Sequence, residues 1–336
     1  MKTNKKFYQC RRLWLIPFAI ITVAILVILV VGQFTPVVNA LIIRQASTLQ
    51  SNSPAANVGT IQQNVAVAHN IVYDEMENSV MDIYYPKDAQ APLPVVVWLH
   101  GGGYILGDKE VTKEYAMILA SHGYVVANVN YALSPEHKYS TPVVQANQAL
   151  KYLNDNAPKY GGDIDRLFLG GNSAGAQIAS QIAAITSNEG LAKSMGIEPA
   201  IENEQLRAVL LFCSIYDMKT VRATGTPFLE TFMWSYTGMR DFENYPRIDE
   251  LSTVKQITPK YPPVFVSVGD ADPFELQSIE LIKALENNGV KVYPVLFNGT
   301  NANLGQDYQY NLDTPYAQQA LTKALKFLKM HSQLVR

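Results

Sequence analysis

The sequence predicts an α/β domain with a mostly parallel central sheet of about eight strands and helices on both faces. Three observations predict it. Short apolar runs alternate with amphipathic stretches to the C-terminus, which is how parallel strands are joined through crossover helices. The runs at residues 95–99 and 208–213 are continuous rather than alternating, as in strands buried on both faces. The 336 residues, 48% hydrophobic and 17% charged, suit one domain of ~280 residues with an appendage, not a disordered or fibrous chain.

The appendage comes first. Residues 13–31 form a run of nineteen without charge, Thr22 being its polar interruption. At 1.5 Å per residue such a run crosses a hydrocarbon layer of ~30 Å. It reads as a transmembrane helix over 13–32. Lys2, Lys5, Lys6, Arg11 and Arg12 make a basic tail over 1–12, which keeps the N-terminus cytoplasmic and sends the domain outside the cell. A signal peptide cut near Ala40 is the competing reading, although the apolar core exceeds the usual ~7–15 residues. Both place the domain outside. Residues 33–60, with Ser51, Ser53, Pro54 and Gly59, read as a juxtamembrane helix and linker, and the domain as 61–331.

Within the domain, residues 65–73 and 80–85 alternate and predict an antiparallel pair, ended by Pro86 and an Ala-Pro-Leu-Pro turn at 91–94. Strands follow at 95–99, 124–131, 167–170, 208–213, 264–268 and 292–297. Helices are expected at 113–121, 142–152, 174–186, 274–285 and 314–329, the second marked by Thr141 ahead of Pro142. Between 216 and 249 the period is lost and Phe228, Phe232, Met233, Trp234 and Tyr236 gather. The stretch 217–250 reads either as a satellite core or as a small apolar lid over a site.

The chemistry centres on Ser173. Gly171 and Gly175 flank it as Gly-x-Ser-x-Gly, between an apolar strand and a small-residue helix. So sharp a strand-to-helix turn has no room for Cβ atoms beside the serine and pushes its hydroxyl out of the sheet. The N–H of Ala174 then faces an oxygen attacked there, and the helix dipole favours negative charge at that point. The five-residue pattern arises by chance in about one chain of this length in ten. His100-Gly101-Gly102-Gly103, ending another strand, makes chance a poor account, since its amides supply the other half of an oxyanion hole.

Other classes are disfavoured. The net charge of −2 becomes more negative once the basic tail is set aside, which argues against nucleic acid as a partner. Cys10 and Cys213 lie on opposite sides of the expected membrane segment, so no disulfide and no cysteine metal site are expected, and Cys213 reads as structural. No metal cluster or strand-to-helix Gly-x-Gly-x-x-Gly loop is present, so no cofactor is expected. Oligomeric state is not legible.

With the His-Gly-Gly-Gly loop, the Gly-Asn-Ser-Ala-Gly elbow, the Tyr131-Ala-Leu-Ser-Pro-Glu-His137 segment and Gly269-Asp270-Ala271-Asp272-Pro273 in hand, residues 61–331 resemble the α/β-hydrolase fold. More narrowly they resemble the esterase branch that includes hormone-sensitive lipase and bacterial acyl esterases. The resemblance implies Ser173 as nucleophile, Asp272 as triad acid, and the N–H groups of Gly102, Gly103 and Ala174 as oxyanion hole. It implies that His137 is structural and that His100 shapes its loop rather than acting as base.

In this fold the order is Ser, then Asp or Glu, then His after the eighth strand. The segment 298–310 contains no His. Membrane-linked esterases of the branch carry a segment similar to 304–312 with His where this chain has Gln306. Of the other histidines, His69 and His122 fall in a first-strand region and at a helix end. His331 alone follows Asp272, and it trails the last helix as a surface residue. Gln306 can hydrogen-bond to Ser173 and Asp272, but an amide does not titrate near neutral pH. Three readings stay open: a membrane-tethered hydrolase of small or medium apolar acyl esters, a catalytically silent binding or scaffold protein of the same fold, and, with less support, acyl transfer to a cell-surface polymer, which shares the nucleophile and the missing base.

Overall fold

The computed structural model describes residues 30–47 and 63–333, together with Phe18, Thr22, Val23, Leu26 and Ile28. The chain divides into two compact units, Met1–Ser51 and Asn52–Arg336. The basic tail, most of the expected transmembrane run and the linker over 48–60 lie outside the described residues. Among those described, no helix is long and apolar enough to cross a membrane. In the first unit, helix α1 (Val37–Ser47) follows Pro36 and contains Ala40 in its interior.

The second unit is built on one eight-stranded sheet: β1 (Val65–Val72), β2 (Val80–Pro86), β3 (Leu93–Leu99), β4 (Val125–Val129), β5 (Gly162–Asn172), β6 (Leu206–Phe212), β7 (Val264–Val268) and β8 (Val292–Leu296). Their spatial order is β1-β2-β4-β3-β5-β6-β7-β8. The β1–β2 and β2–β4 pairs are antiparallel and every later pair is parallel. This is the α/β-hydrolase sheet. The expected strands are all present; β5 begins at Gly162 rather than at 167 because Gly162 and Asp163 continue its pairing with Leu93 and Pro94 across a bulge.

Two cores result, one on each face, because side chains alternate along a strand. Val95, Val97 and Leu99 of β3 enter one core, and Val96 and Trp98 enter the other. Helices α3 (Thr141–Asn156), α4 (Ala174–Ser187), α5 (Glu189–Met195) and, later in the chain, α8 (Glu275–Asn287) supply the first core. Helices α2 (Lys113–Ser121) and α9 (Pro315–His331) supply the second. Each fully buried Val, Leu or Phe stabilises the domain by about 1.5–3 kcal/mol. Helix α5 was not expected from sequence. Its signals are the Asn188 cap, whose side chain accepts from Leu191 N, and Gly196 in the left-handed region at its end.

The excursion after β6 carries α6 (Leu229–Thr237) and α7 (Ile248–Leu251). Met233, Tyr236 and Phe242 are fully buried in the first core, whereas Phe228 is 63% exposed. The stretch is therefore core on one side and open surface on the other.

Candidate active site

Strand β5 passes into α4 through Ser173 alone, at φ 49° and ψ −123°. A side-chain-bearing residue holds such a backbone only when its surroundings impose it, at a cost of about 1–3 kcal/mol. Ser173 N donates to Phe212 O at 2.9 Å, and Ser214 Oγ donates to Ser173 O at 2.6 Å. A Cβ on Gly175 would fall on the carbonyl oxygen of Leu99, so only glycine lets α4 start this close to β3. The Ser173 side chain is left partly exposed at the carboxyl end of the sheet, where ligands bind in parallel α/β sheets.

The triple-glycine loop lies beside it, since Leu99 pairs with Gly171 in the sheet. His100 is buried, stacked on Tyr131 with centroids 4.3 Å apart, and its Nδ1 donates to Gly101 O at 2.7 Å. Burial pushes its pKa down to about 4, so the ring is neutral at physiological pH and serves as a structural plate. Gly101 N donates to Asn172 Oδ1 at 3.0 Å, and Gly102 O accepts from Ile105 N and Leu106 N. The amides of Gly102, Gly103 and Ala174 make no hydrogen bond among the described residues. The Ala174 amide opens α4, and an unengaged donor with the helix dipole behind it suits a developing oxyanion.

The acid half is arranged differently. Asp272 follows β7 and is 5% exposed; its Oδ1 accepts from Phe274 N at 2.8 Å, but its buried Oδ2 makes no hydrogen bond. Burial raises its pKa, offset in part by the Phe274 amide. Gln306 arrives on the loop after β8 and donates from Nε2 to Ser173 Oγ at 3.0 Å. The expectation that Gln306 would bridge both partners is thus met on one side only. Asp270 fastens that loop, accepting from Leu304 N at 2.7 Å, Ala302 N at 2.8 Å and Thr300 Oγ1 at 3.2 Å. These bonds, the Leu304 amide foremost, hold its pKa below the ordinary value.

Three further residues join the halves. Asn172 Nδ2 donates to Asp307 Oδ1 at 3.0 Å, so one side chain touches both the triple-glycine loop and the Gln306 loop. Burial, with Asp272 nearby, raises the Asp307 pKa to about 6. The Cys213 thiol at the end of β6 donates to Gln309 Oε1 at 3.2 Å, and burial raises its pKa far above the ordinary value. Sequence reasoning missed Asn172 and Asp307; their adjacency to Ser173 and Gln306 was the available signal.

The remaining histidines lie elsewhere. His69 Nδ1 pairs with Asp82, His137 Nε2 with Glu77, and His122 ends α2. His331, expected at the surface, is instead half-buried against Phe327 and Tyr293, because α9 extends to it. It sits near Lys291 and Arg207, where β8 and β6 begin, at the end of the sheet opposite Ser173. Among the described residues, no group of three or more His, Cys, Asp or Glu is placed to hold a metal ion.

Residues 81–285 match the BD-FAE family. The chain belongs to that family. The BD-FAE match contains Ser173, the triple-glycine loop and Asp272 and ends before Gln306. The chain is 34% identical over 119 residues to carboxylesterase NlhH of Mycobacterium tuberculosis, covering 35% of this chain and 37% of that one. It is 27% identical over 220 residues to the versiconal hemiacetal acetate esterase of Dothistroma septosporum, covering 62% and 65%. The chain therefore spans less than two thirds of the length of these curated relatives. Among solved structures, esterase B of Lactobacillus rhamnosis superposes with a TM-score of 0.74 at 23% identity, over 88% of this BD-FAE chain and 95% of that one. At that identity the likeness establishes the fold.

Proposed function

We propose that this chain is a serine-nucleophile hydrolase of small carboxylic esters whose turnover is limited by the absence of a titratable base. The observation that carries the reading is a strained, partly exposed Ser173 at a strand-to-helix turn, with the Ala174 amide next in the chain and the triple-glycine loop at the end of the neighbouring strand. In acyl transfer, Ser173 Oγ attacks the ester carbonyl and the oxyanion forms against these donors. Gln306 holds Oγ in place but has no nitrogen that accepts its proton at neutral pH. Loss of the base from a Ser-His-Asp site lowers turnover on the order of 10⁶, leaving roughly 10³–10⁴ over water. The esterase names of the curated relatives support the ester as substrate class.

The test is turnover of p-nitrophenyl acetate by the full chain in detergent, beside Ser173→Ala. The wild type should exceed the variant; equal rates would overturn the proposal. Gln306 favours a second reading, a binding protein of the same fold, and that equality is its signature.

We further propose that the N-terminal run tethers the domain to the outer face of a membrane. Phe18, Val23, Leu26, Ile28 and Val30 all expose apolar side chains, which water disfavours and lipid accepts. Protease added to intact cells should remove the domain, and protection would count against this placement.

A further inference from the structure

Two residues of the excursion after β6 reach the oxyanion loop. Phe232 and Tyr236 lie four apart on α6 and so share one face. Tyr236 stacks on Tyr104, the residue after Gly103, with centroids 3.7 Å apart and planes 7° from parallel. Tyr104 OH donates to Gln177 Oε1 on α4 at 3.1 Å, and Tyr236 O accepts from Tyr139 N at 2.8 Å. The C-terminal end of α6 is thereby fixed to the loop and to the nucleophile helix. It is a wall rather than a swinging cover. One turn back, Phe232 is half-buried, and a Cβ on Gly103 would meet its Cγ and Cδ1 at 2.8 Å. The ring therefore rests against the Gly103 backbone.

We propose that Phe232 determines acyl length: its ring, held over Gly103, admits an acetyl-sized group and turns away longer acyl chains. The inference rests on the acyl-transfer reading above. An ester oxygen bound to the Gly103 amide lies within about 3 Å of that nitrogen, so the first acyl carbons run beside the ring. A methyl group, the smallest alkyl substituent, asks least of that space. Each further methylene must displace an aromatic side chain on a helix pinned one turn away, and one methylene alone is discriminated about tenfold or more in a shaped pocket.

The test follows phosphonylation of Ser173 by p-nitrophenyl methylphosphonate and hexylphosphonate esters, read by intact mass in the full chain. The wild type should react with the methyl probe at least about tenfold faster. Phe232→Ala should bring the ratio towards one, with Phe232→Leu between. Equal rates in the wild type, or a ratio unchanged in both variants, would overturn the inference while leaving the nucleophile in place. No adduct with either probe would overturn the acyl-transfer reading and this inference with it. Should Phe232→Ala fail to fold, the wild-type ratio and the Leu variant decide.

Discussion

The Ser173 half of the site and its Asp272 half stand at the ends of strands in one sheet, and they leave different kinds of buried polar atom without a hydrogen bond. Around Ser173, Asn172 takes the Gly101 amide, Ser214 donates to the Ser173 carbonyl, and the buried Nε2 of the neutral His100 ring has no hydrogen bond. Around Asp272, a buried carboxylate oxygen has no hydrogen bond, while Gln306 has turned its donor to Ser173 alone. A buried charged acceptor without a partner is unfavourable by more than a typical hydrogen bond. A donor to Asp272 Oδ2 would satisfy that oxygen. On the acyl-transfer reading proposed above, the difference teaches that the backbone geometry is carried by glycine packing and strand register, whereas the proton chemistry rests on one loop side chain.

Restoring that side chain breaks the comparison most severely. In Gln306→His, an imidazole reaching Ser173 can turn its other nitrogen to Asp272 Oδ2, giving the hydroxyl an acceptor and the carboxylate a donor. Turnover of p-nitrophenyl acetate should rise about 10³-fold or more. If the rate stays at the wild-type level, the acid half has diverged by more than one residue.

A smaller effect is expected from the loop that carries position 306. Asp270 ties Ala302 and Leu304 to the end of β7, so Asp270→Ala should let the loop drift without touching Ser173. In the Gln306→His background, kcat should fall about 10- to 100-fold, the scale on which misplacement of a catalytic group acts. KM should change less. Hydrogen exchange over residues 298–306 should quicken in parallel, and unchanged exchange would mean that other contacts hold the loop.

Much of the nucleophile half was legible because its requirements are local. A strand-to-helix turn with no room for Cβ atoms writes glycines at fixed offsets from Ser173, and the apolar runs fix which strands bear the loops. The sheet was legible for the same reason: continuous apolar runs such as 95–99 fit strands buried on both faces. The links across the site were not. Nothing in the local pattern tells that Asn172 reaches Asp307, 135 positions away, or that Phe232 lies on Gly103, since such contacts are set by loop paths with no period. His331 was misplaced for a related reason: α9 runs farther than its apolar pattern marks, and carries the ring onto Tyr293.

Asp307 lies where the two halves meet, and its replacement sharpens the comparison least in size but most in sign. Its folded pKa of about 6 stands above the ordinary 3.8 because burial and nearby Asp272 oppose its charge. Between those values the folded chain keeps a proton that the unfolded chain has released, so stability falls as pH rises through that window. Above it the penalty is complete, at most about 3 kcal/mol for a shift of this size. Asp307→Asn keeps an oxygen to accept from Asn172 and cannot ionise. Its melting temperature should therefore exceed the wild type's at pH 8, by about 2–4 °C for each kcal/mol recovered. At pH 4 the charge contribution should shrink towards zero. Asn also tolerates the left-handed backbone at this position, φ 59°, so a gain equal at both pH values would report backbone preference alone. The difference between the two gains isolates the charge. A difference of zero would mean that Asp307 bears its charge without strain and that the two halves are not electrostatically coupled.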